Sequence, residues 1–151
     1  MPKSAMPEFP ARVFLDANVI FSAALSPGGN ARALFKLAAL RGTLLVTSRF
    51  AVEEAFRNIA VKTPQHIVEG ESLLTDVAEV AEPSAAWLDV ARQHGVPPKD
   101  APILGAAMAH AADLLVTGDR SHFGHLYGMH IQGVLVVPPA TAVGLLLNGR
   151  T

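Results

Sequence analysis

The chain of 151 residues contains no cysteine. That absence removes a disulfide framework, a thiolate nucleophile, an iron–sulfur cluster and any Cys-ligated zinc, and it fits a reducing cytoplasm, the compartment expected here. Charge is also scarce. Charged residues make up 17% of the chain, against ~25% in an average soluble domain. Twelve basic against thirteen acidic side chains leave a formal net charge of -1, so no global basic field draws the molecule to nucleic acid. Long apolar runs are missing too. The richest stretch, Ile103–Ala112, is interrupted by His110 and closed by Asp113, well short of the ~18–20 residues of a membrane span. Met1–Pro10 carries prolines at positions 2, 7 and 10 and no apolar core, so neither a signal peptide nor a membrane anchor is expected there.

Half the residues are hydrophobic, which argues against disorder. The length predicts one domain with a sizeable core: a flexible tail over residues 1–11 and a single domain over residues 12–151. The apolar surplus is compatible with a homodimer.

Along the chain, Arg12–Leu15 reads as a short strand followed by Asp16-Ala17-Asn18. Ser26-Pro27-Gly28-Gly29 reads as a turn, with Asn30 as N-cap of a helix over Ala31–Arg41 that stops at Gly42. Thr43–Thr47 reads as a buried strand, and Ser48 as the cap of a helix from Arg49 to about Ala60. Thr63-Pro64 breaks that helix, Gln65–Leu74 is compatible with another, and Asp76–Glu82 fits neither period. Ser84 caps Ala85–His94, and Asp100 occupies the N-cap position of an alanine-rich helix, Ala101–Ala112. Leu114–Thr117 and Gly133–Val137 are strands, and a closing helix follows Pro138-Pro139. Strand–helix alternation with uninterrupted apolar strands predicts an α/β fold whose mostly parallel sheet is covered on both faces.

The positions of the acids carry the chemistry. Asp16 and Asp119 each follow a strand, and ligands of open parallel sheets sit outside the carboxyl ends of strands. Asp100, at a helix start, and Glu54, about two turns into the helix after Thr43–Thr47, fall towards the same rim. Taken singly, Asp100 reads as a cap, Asp119 as turn chemistry and Glu54 as a solvated charge. Asp16 closes a buried strand and needs a partner. Four acids on one edge repel one another unless a cation compensates, and hard oxygen donors suit Mg²⁺ or Mn²⁺.

These residues resemble a known family. Val13-Phe14-Leu15-Asp16-Ala17-Asn18-Val19-Ile20 with Ser22 and Ser26-Pro27-Gly28-Gly29, then Thr47-Ser48 with Glu53-Glu54, then Pro98-Lys99-Asp100-Ala101-Pro102-Ile103-Leu104, then Ala112-Asp113-Leu114-Leu115-Val116-Thr117-Gly118-Asp119 are similar, in family order, to the motifs of PIN-domain proteins. Within that family the chain resembles the small bacterial and archaeal PIN proteins, toxins of toxin–antitoxin pairs or other nucleases. The resemblance spans roughly Arg12 to Leu147. It implies a three-layer α/β/α fold and a metal-dependent ribonuclease, with Asp16, Glu54, Asp100 and Asp119 as catalytic metal ligands for Mg²⁺ or Mn²⁺. Asn18 and Thr117 would support the site by hydrogen bonding. RNA is the implied substrate, and a cognate antitoxin and a second copy of the chain are the implied protein partners. Glu53 competes with Glu54; the six-residue distance from Ser48 and the apolar Ala51, Ala55 and Ile59 favour Glu54. Residues 65–82 match no family motif.

Among the basic residues, Lys99 and Arg120 adjoin two of the acids and are the candidates for holding phosphate. His122, His125 and His130 offer a rival zinc site, although His122 also fits a local hydrogen-bonding role. Two other functional classes stand beside the ribonuclease. A haloacid-dehalogenase-like phosphatase also begins with an acid at a strand end, but it requires Asp where this chain has Asn18 and a late lysine that has no counterpart here. A non-catalytic PIN-like scaffold for RNA or protein is the other, and the presence of all four acids weighs against it. Setting those four aside leaves twelve basic against nine acidic residues, so the near-zero net charge does not argue against an anionic substrate.

Overall fold

In the computed structural model, which describes residues 8–149, a six-stranded sheet runs β3-β2-β1-β4-β6-β5. Its strands are β1 (Arg12–Leu15), β2 (Leu44–Ser48), β3 (Val77–Val80), β4 (Leu114–Val116), β5 (His130–Ile131) and β6 (Val134–Val137). All pairings are parallel except that of β5 with β6. Eight α-helices accompany them among the described residues: α1 (Ala17–Leu25), α2 (Asn30–Arg41), α3 (Arg49–Lys62), α4 (Ile67–Leu74), α5 (Ala85–Arg92), α6 (Ala101–Ala109), α7 (Arg120–Phe123) and α8 (Pro139–Asn148). The mixed α/β fold with a mostly parallel sheet expected from the sequence is the observed one.

The core explains the composition. Val13, Phe14 and Leu15 are successive residues of β1, and all are fully buried. Because neighbouring side chains of a strand point to opposite faces, both faces of the sheet are covered. Leu114, Leu115 and Val116 of β4 repeat the pattern. α2 packs on α8, α5 on α6, and α1 against α2, α3 and α4. Right-handed crossovers put the β1→β2→β3 connections and the β3→β4 connection on opposite faces. Strand order therefore reverses between β1 and β4, and a crevice opens beyond their carboxyl ends.

Local signals hold the helix ends as expected in most places. Gly42 ends α2 in the left-handed region at φ 69°, where a Cβ is disfavoured. The Ser48 hydroxyl accepts from Ala51 N, capping α3, and Ser84 accepts from Trp87 N at the start of α5. Several details differ. Gly29, not Asn30, is the N-cap of α2, and Asn30 is already helical. α6 stops at Ala109 rather than Ala112, and Ala111 takes a positive φ of 52°. The ambiguous stretch 76–82 contains β3, an edge strand with no buried residue. β5 had no sequence signature because two residues are too few to show a period.

Of the residues read as a tail, 1–7 lie outside those described. Pro10 is buried and its carbonyl accepts from Thr43 Oγ1 at 2.6 Å, and Ala11 N donates to Asp113 Oδ2 at 2.8 Å. Asp113 also accepts from Arg12 N. This acid, at the amino-end edge of the sheet, anchors the start of β1, so it is spoken for by the fold. Among the described residues no helix is long and apolar enough to cross a membrane.

Phe14 lies at the centre of the sheet, with no exposed surface. Phe14→Ala should cost about 3–5 kcal/mol through lost burial and the cavity left behind. Urea unfolding followed by circular dichroism measures it; a loss below ~1 kcal/mol would contradict the two-faced core.

Candidate functional site

The carboxyl ends of β1 and β4 are joined by a small hydrogen-bond network. Asp16 follows β1 and is 5% exposed. Its Oδ1 accepts from Ala17 N at 2.6 Å, capping α1. Its Oδ2 accepts from Thr117 Oγ1 at 2.8 Å and from Asn18 Nδ2 at 3.1 Å. Thr117, fully buried just beyond β4, accepts in turn from Asp119 N at 3.1 Å. Asn18 closes the circuit by accepting from Gly118 N at 2.6 Å. The two residues read as supporting groups thus tie the loop after β4 to the acid after β1.

Burial pushes the Asp16 carboxyl up to about 6; the bonds from Thr117 and Ala17 oppose the shift, and the charge of Glu54 adds to it. Glu54 therefore stands within electrostatic reach of Asp16. It lines a cleft of about 420 Å³ together with Lys99, Asp100, Asp119 and His122. Its neighbour Glu53 faces away, lining an apolar groove with Phe50, Leu88 and Pro102. Adjacent helical residues diverge by about 100°, which separates the two glutamates.

Asp100 ends a short 3-10 turn, Pro98–Asp100. Although it holds the N-cap position of α6, its side chain makes no capping bond. Its backbone, at φ -102° and ψ -7°, lies outside the extended region that an N-cap adopts. The carboxylate turns instead to His122, whose Nδ1 lies 2.9 Å from Asp100 Oδ2 and 2.8 Å from Asp119 Oδ2. Burial raises the Asp100 pKa; the His122 charge lowers it, Asp119 raises it and Lys99 lowers it. Asp119 also caps α7 by accepting from His122 N through Oδ1.

The structure thus brings Asp100, Asp119 and His122 into one group, each offering a ligand atom within 4.8 Å of the others. Glu54 shares their cleft, and Asp16 lies buried beside it through Thr117. His122 is the member that sequence reasoning placed near the site without giving it a part in the acid group; its spacing of three from Asp119, across one helical turn, is the signal. Tyr127 was missed altogether. Its hydroxyl donates to Thr117 O at 2.7 Å. The three histidines do not form a zinc site: His125 Nε2 is 2.8 Å from the His94 carbonyl, and His122 is the only one grouped with other metal donors among the described residues. Arg120, expected beside Asp119, faces a different cleft.

A divalent cation fits these groups. Asp100 Oδ2 and His122 Nδ1 are shielded from solvent yet make no well-aligned hydrogen bond. Two carboxylates converge on a single ring nitrogen, a crowding of like charge that a cation relieves. The donors are mostly carboxylate oxygens, the set suited to a hard ion.

Comparison with known proteins bears on the family and the fold. A family model described as PIN domain matches residues 12–121. No curated protein sequence matches the chain. Among solved structures, VapBC2 from Rickettsia felis bound to a fragment of its promoter DNA is 17% identical with a TM-score of 0.65, covering 84% of this chain and 98% of that one. DNA-bound VapBC from Salmonella typhimurium is 17% identical with a TM-score of 0.64, covering 85% and 98%. VapC20 from Mycobacterium tuberculosis, described as a toxin that cleaves the sarcin–ricin loop, is 16% identical with a TM-score of 0.51, covering 74% and 95%.

Asp16 makes stability depend on pH. Its folded pKa of about 6 lies above the ordinary 3.8, so the folded state holds the proton more tightly. Its contribution is full below about pH 4 and is lost as pH rises through 6, a swing on the order of 3 kcal/mol. In EDTA, Asp16→Asn should flatten the pH dependence of the melting temperature between pH 4 and 7. An unchanged slope would show that Asp16 titrates normally.

Proposed function

The chain belongs to the PIN-domain family, and from that premise we propose that it is a Mg²⁺- or Mn²⁺-dependent endoribonuclease, hydrolysing phosphodiester bonds of RNA as the toxin of a toxin–antitoxin pair. The observation that carries the reading is the grouping of Asp100, Asp119 and His122 with Glu54 in one cleft at the reversal of strand order.

Each group has a task that follows from its place. Asp100, Asp119 and Glu54 would hold the cation, with Asp16 bearing on it from the buried side. The chemistry a divalent ion would supply there is a lowered pKa for an attacking water and compensation of the negative charge on the phosphate and the leaving oxygen. Asn18 and Thr117 keep Asp16 and the loop carrying Asp119 in fixed relation. A proton on His122 Nδ1 reconciles the two carboxylates when no cation is present, because that nitrogen faces two acceptors. Lys99 and Arg57, which line the same cleft, supply positive charge for the phosphates of a single strand.

The likeness of fold to two VapBC assemblies supports an antitoxin partner for this chain, and a second copy of the chain is the other partner we propose. A phosphatase fits less well. Asn18, at the position where that chemistry needs an acid, spends its Nδ2 on Asp16 and its Oδ1 on Gly118 N. A non-catalytic scaffold would have no evident use for Asp100, Asp119 and His122 drawn into one group beside Glu54.

Purified protein incubated with RNA and DNA, in Mn²⁺ or Mg²⁺ against EDTA, provides the test. RNA cleavage should require the metal and vanish in Asp16→Asn and in Asp119→Asn. Thr117→Ala, which removes a supporting bond, should cost roughly 10–100-fold. Lys99→Ala should weaken RNA binding and lower its salt slope by about 0.7. Cleavage that persists in a clean preparation of Asp119→Asn would sink the assignment.

A further inference from the structure

The loop after β4 separates two clefts of contrasting chemistry. Asp119 and His122 line the acid-bearing cleft, whereas Gly118 and Arg120 line a second cleft of about 390 Å³ on the other side. Consecutive residues of one loop, 118–120, thus contribute to both clefts, with successive Cα atoms only about 3.8 Å apart. The second cleft contains no aspartate or glutamate. Its polar lining comes from Ser22, Ser26, Asn30, Arg120 and Tyr127.

Two of these side chains are set for one kind of ligand. Arg120 is exposed, and among the described residues its guanidinium shows neither a salt bridge nor a hydrogen bond. Tyr127 is pinned through its hydroxyl to Thr117 O, which fixes its ring at the cleft wall. Arg120 and Tyr127 line the same cleft; burial raises the Tyr127 phenol, the charge of Arg120 lowers it, and those of Asp119 and Asp16 raise it from across the loop. A guanidinium matches a phosphate with paired N–H donors, and an aromatic ring offers a base a stacking surface. The first turn of α2 opens onto the same space, with no side chain capping its amides. Glycine and alanine elsewhere in the lining leave room for a planar group.

We infer that this second cleft is a nucleotide subsite: it receives the nucleotide of the RNA strand adjoining the scissile phosphate, with Arg120 on its phosphate and Tyr127 beside its base. The inference rests on the ribonuclease reading of the neighbouring acid cleft. It assigns the loop 118–120 the role of a saddle, over which the strand passes from the acid side to the acid-free side. Preference for the base beside the cut is then set in this cleft and not among the metal-binding acids.

The test uses the full chain in Mn²⁺ with an RNA 12-mer that it cuts, and with versions of it lacking one base at each position in turn. Ala140 lines the cleft from the exposed start of α8, so Ala140→Phe fills the space without disturbing the core. Arg120→Ala and Ala140→Phe should each raise KM about tenfold, with kcat falling less than KM rises. Removing the base next to the cut should cost the wild-type protein about tenfold, and that cost should disappear in Ala140→Phe. An unchanged KM in Ala140→Phe, or a wild-type protein indifferent to the missing base, overturns the subsite while leaving the nuclease standing. A wild-type protein that cuts no RNA in Mn²⁺ or Mg²⁺ overturns the nuclease reading and the subsite with it.

Discussion

The bond from Thr117 Oγ1 to Asp16 Oδ2 holds the functional edge of this molecule together. A carboxylate at 5% exposure is tolerable only if its oxygens are engaged, and three donors engage Asp16. Those donors come from both sides of the strand reversal: Ala17 and Asn18 after β1, Thr117 after β4. Satisfying one buried acid therefore sets the position of the loop that carries Asp119, since Asp119 N donates to the same threonine hydroxyl. Asp119 in turn caps α7 and meets His122, and His122 meets Asp100. Each link is local, yet the chain of links runs from the middle of the sheet to the start of α6.

The acids are held together at an electrostatic cost. Glu54 raises the pKa of Asp16, and Asp119 raises that of Asp100. Lys99 and His122 offset part of this repulsion at Asp100. The remainder is met by the fold, through burial of β1 and β4 on both faces and through the capping of α1, α3 and α7. This division explains why the charged residues are few and the core so apolar. A small domain that keeps like charges close needs its other terms to favour the compact state.

Much of this was legible in the sequence because its physical signals are short-ranged. Buried parallel strands read as apolar runs, so β1 and β4 and the acids that follow them were recognisable. Gly42, Ser48 and Ser84 marked helix ends by chemistry confined to one turn. What escaped depends on distant neighbours or on brevity. β3 has no buried face and β5 has two residues, so neither shows a period. Asp100 reads as a cap from sequence but not from its backbone angles, which the preceding 3-10 turn imposes. The divergence of Asp119 and Arg120 into separate clefts is a property of a three-residue turn. Nothing in residue type announces it.

That divergence also bears on the charge balance. Lys99 and Arg57 share the acid cleft, and the charge of Lys99 is partly spent in moderating Asp100. Arg120 has no acid beside it in its own cleft, so its positive charge is available to a ligand at little desolvation cost to any partner. A strand of nucleic acid presents one phosphate per nucleotide, and on the proposed reading it would meet two surfaces here: one that needs a cation before it can accept an anion, and one that needs none. Binding on the second surface would then not require a loaded first. The near-neutral chain therefore contains a local basic site set off from its acids by one turn of backbone. On that reading it is this separation, more than the net charge, that would decide how an anionic polymer approaches the molecule.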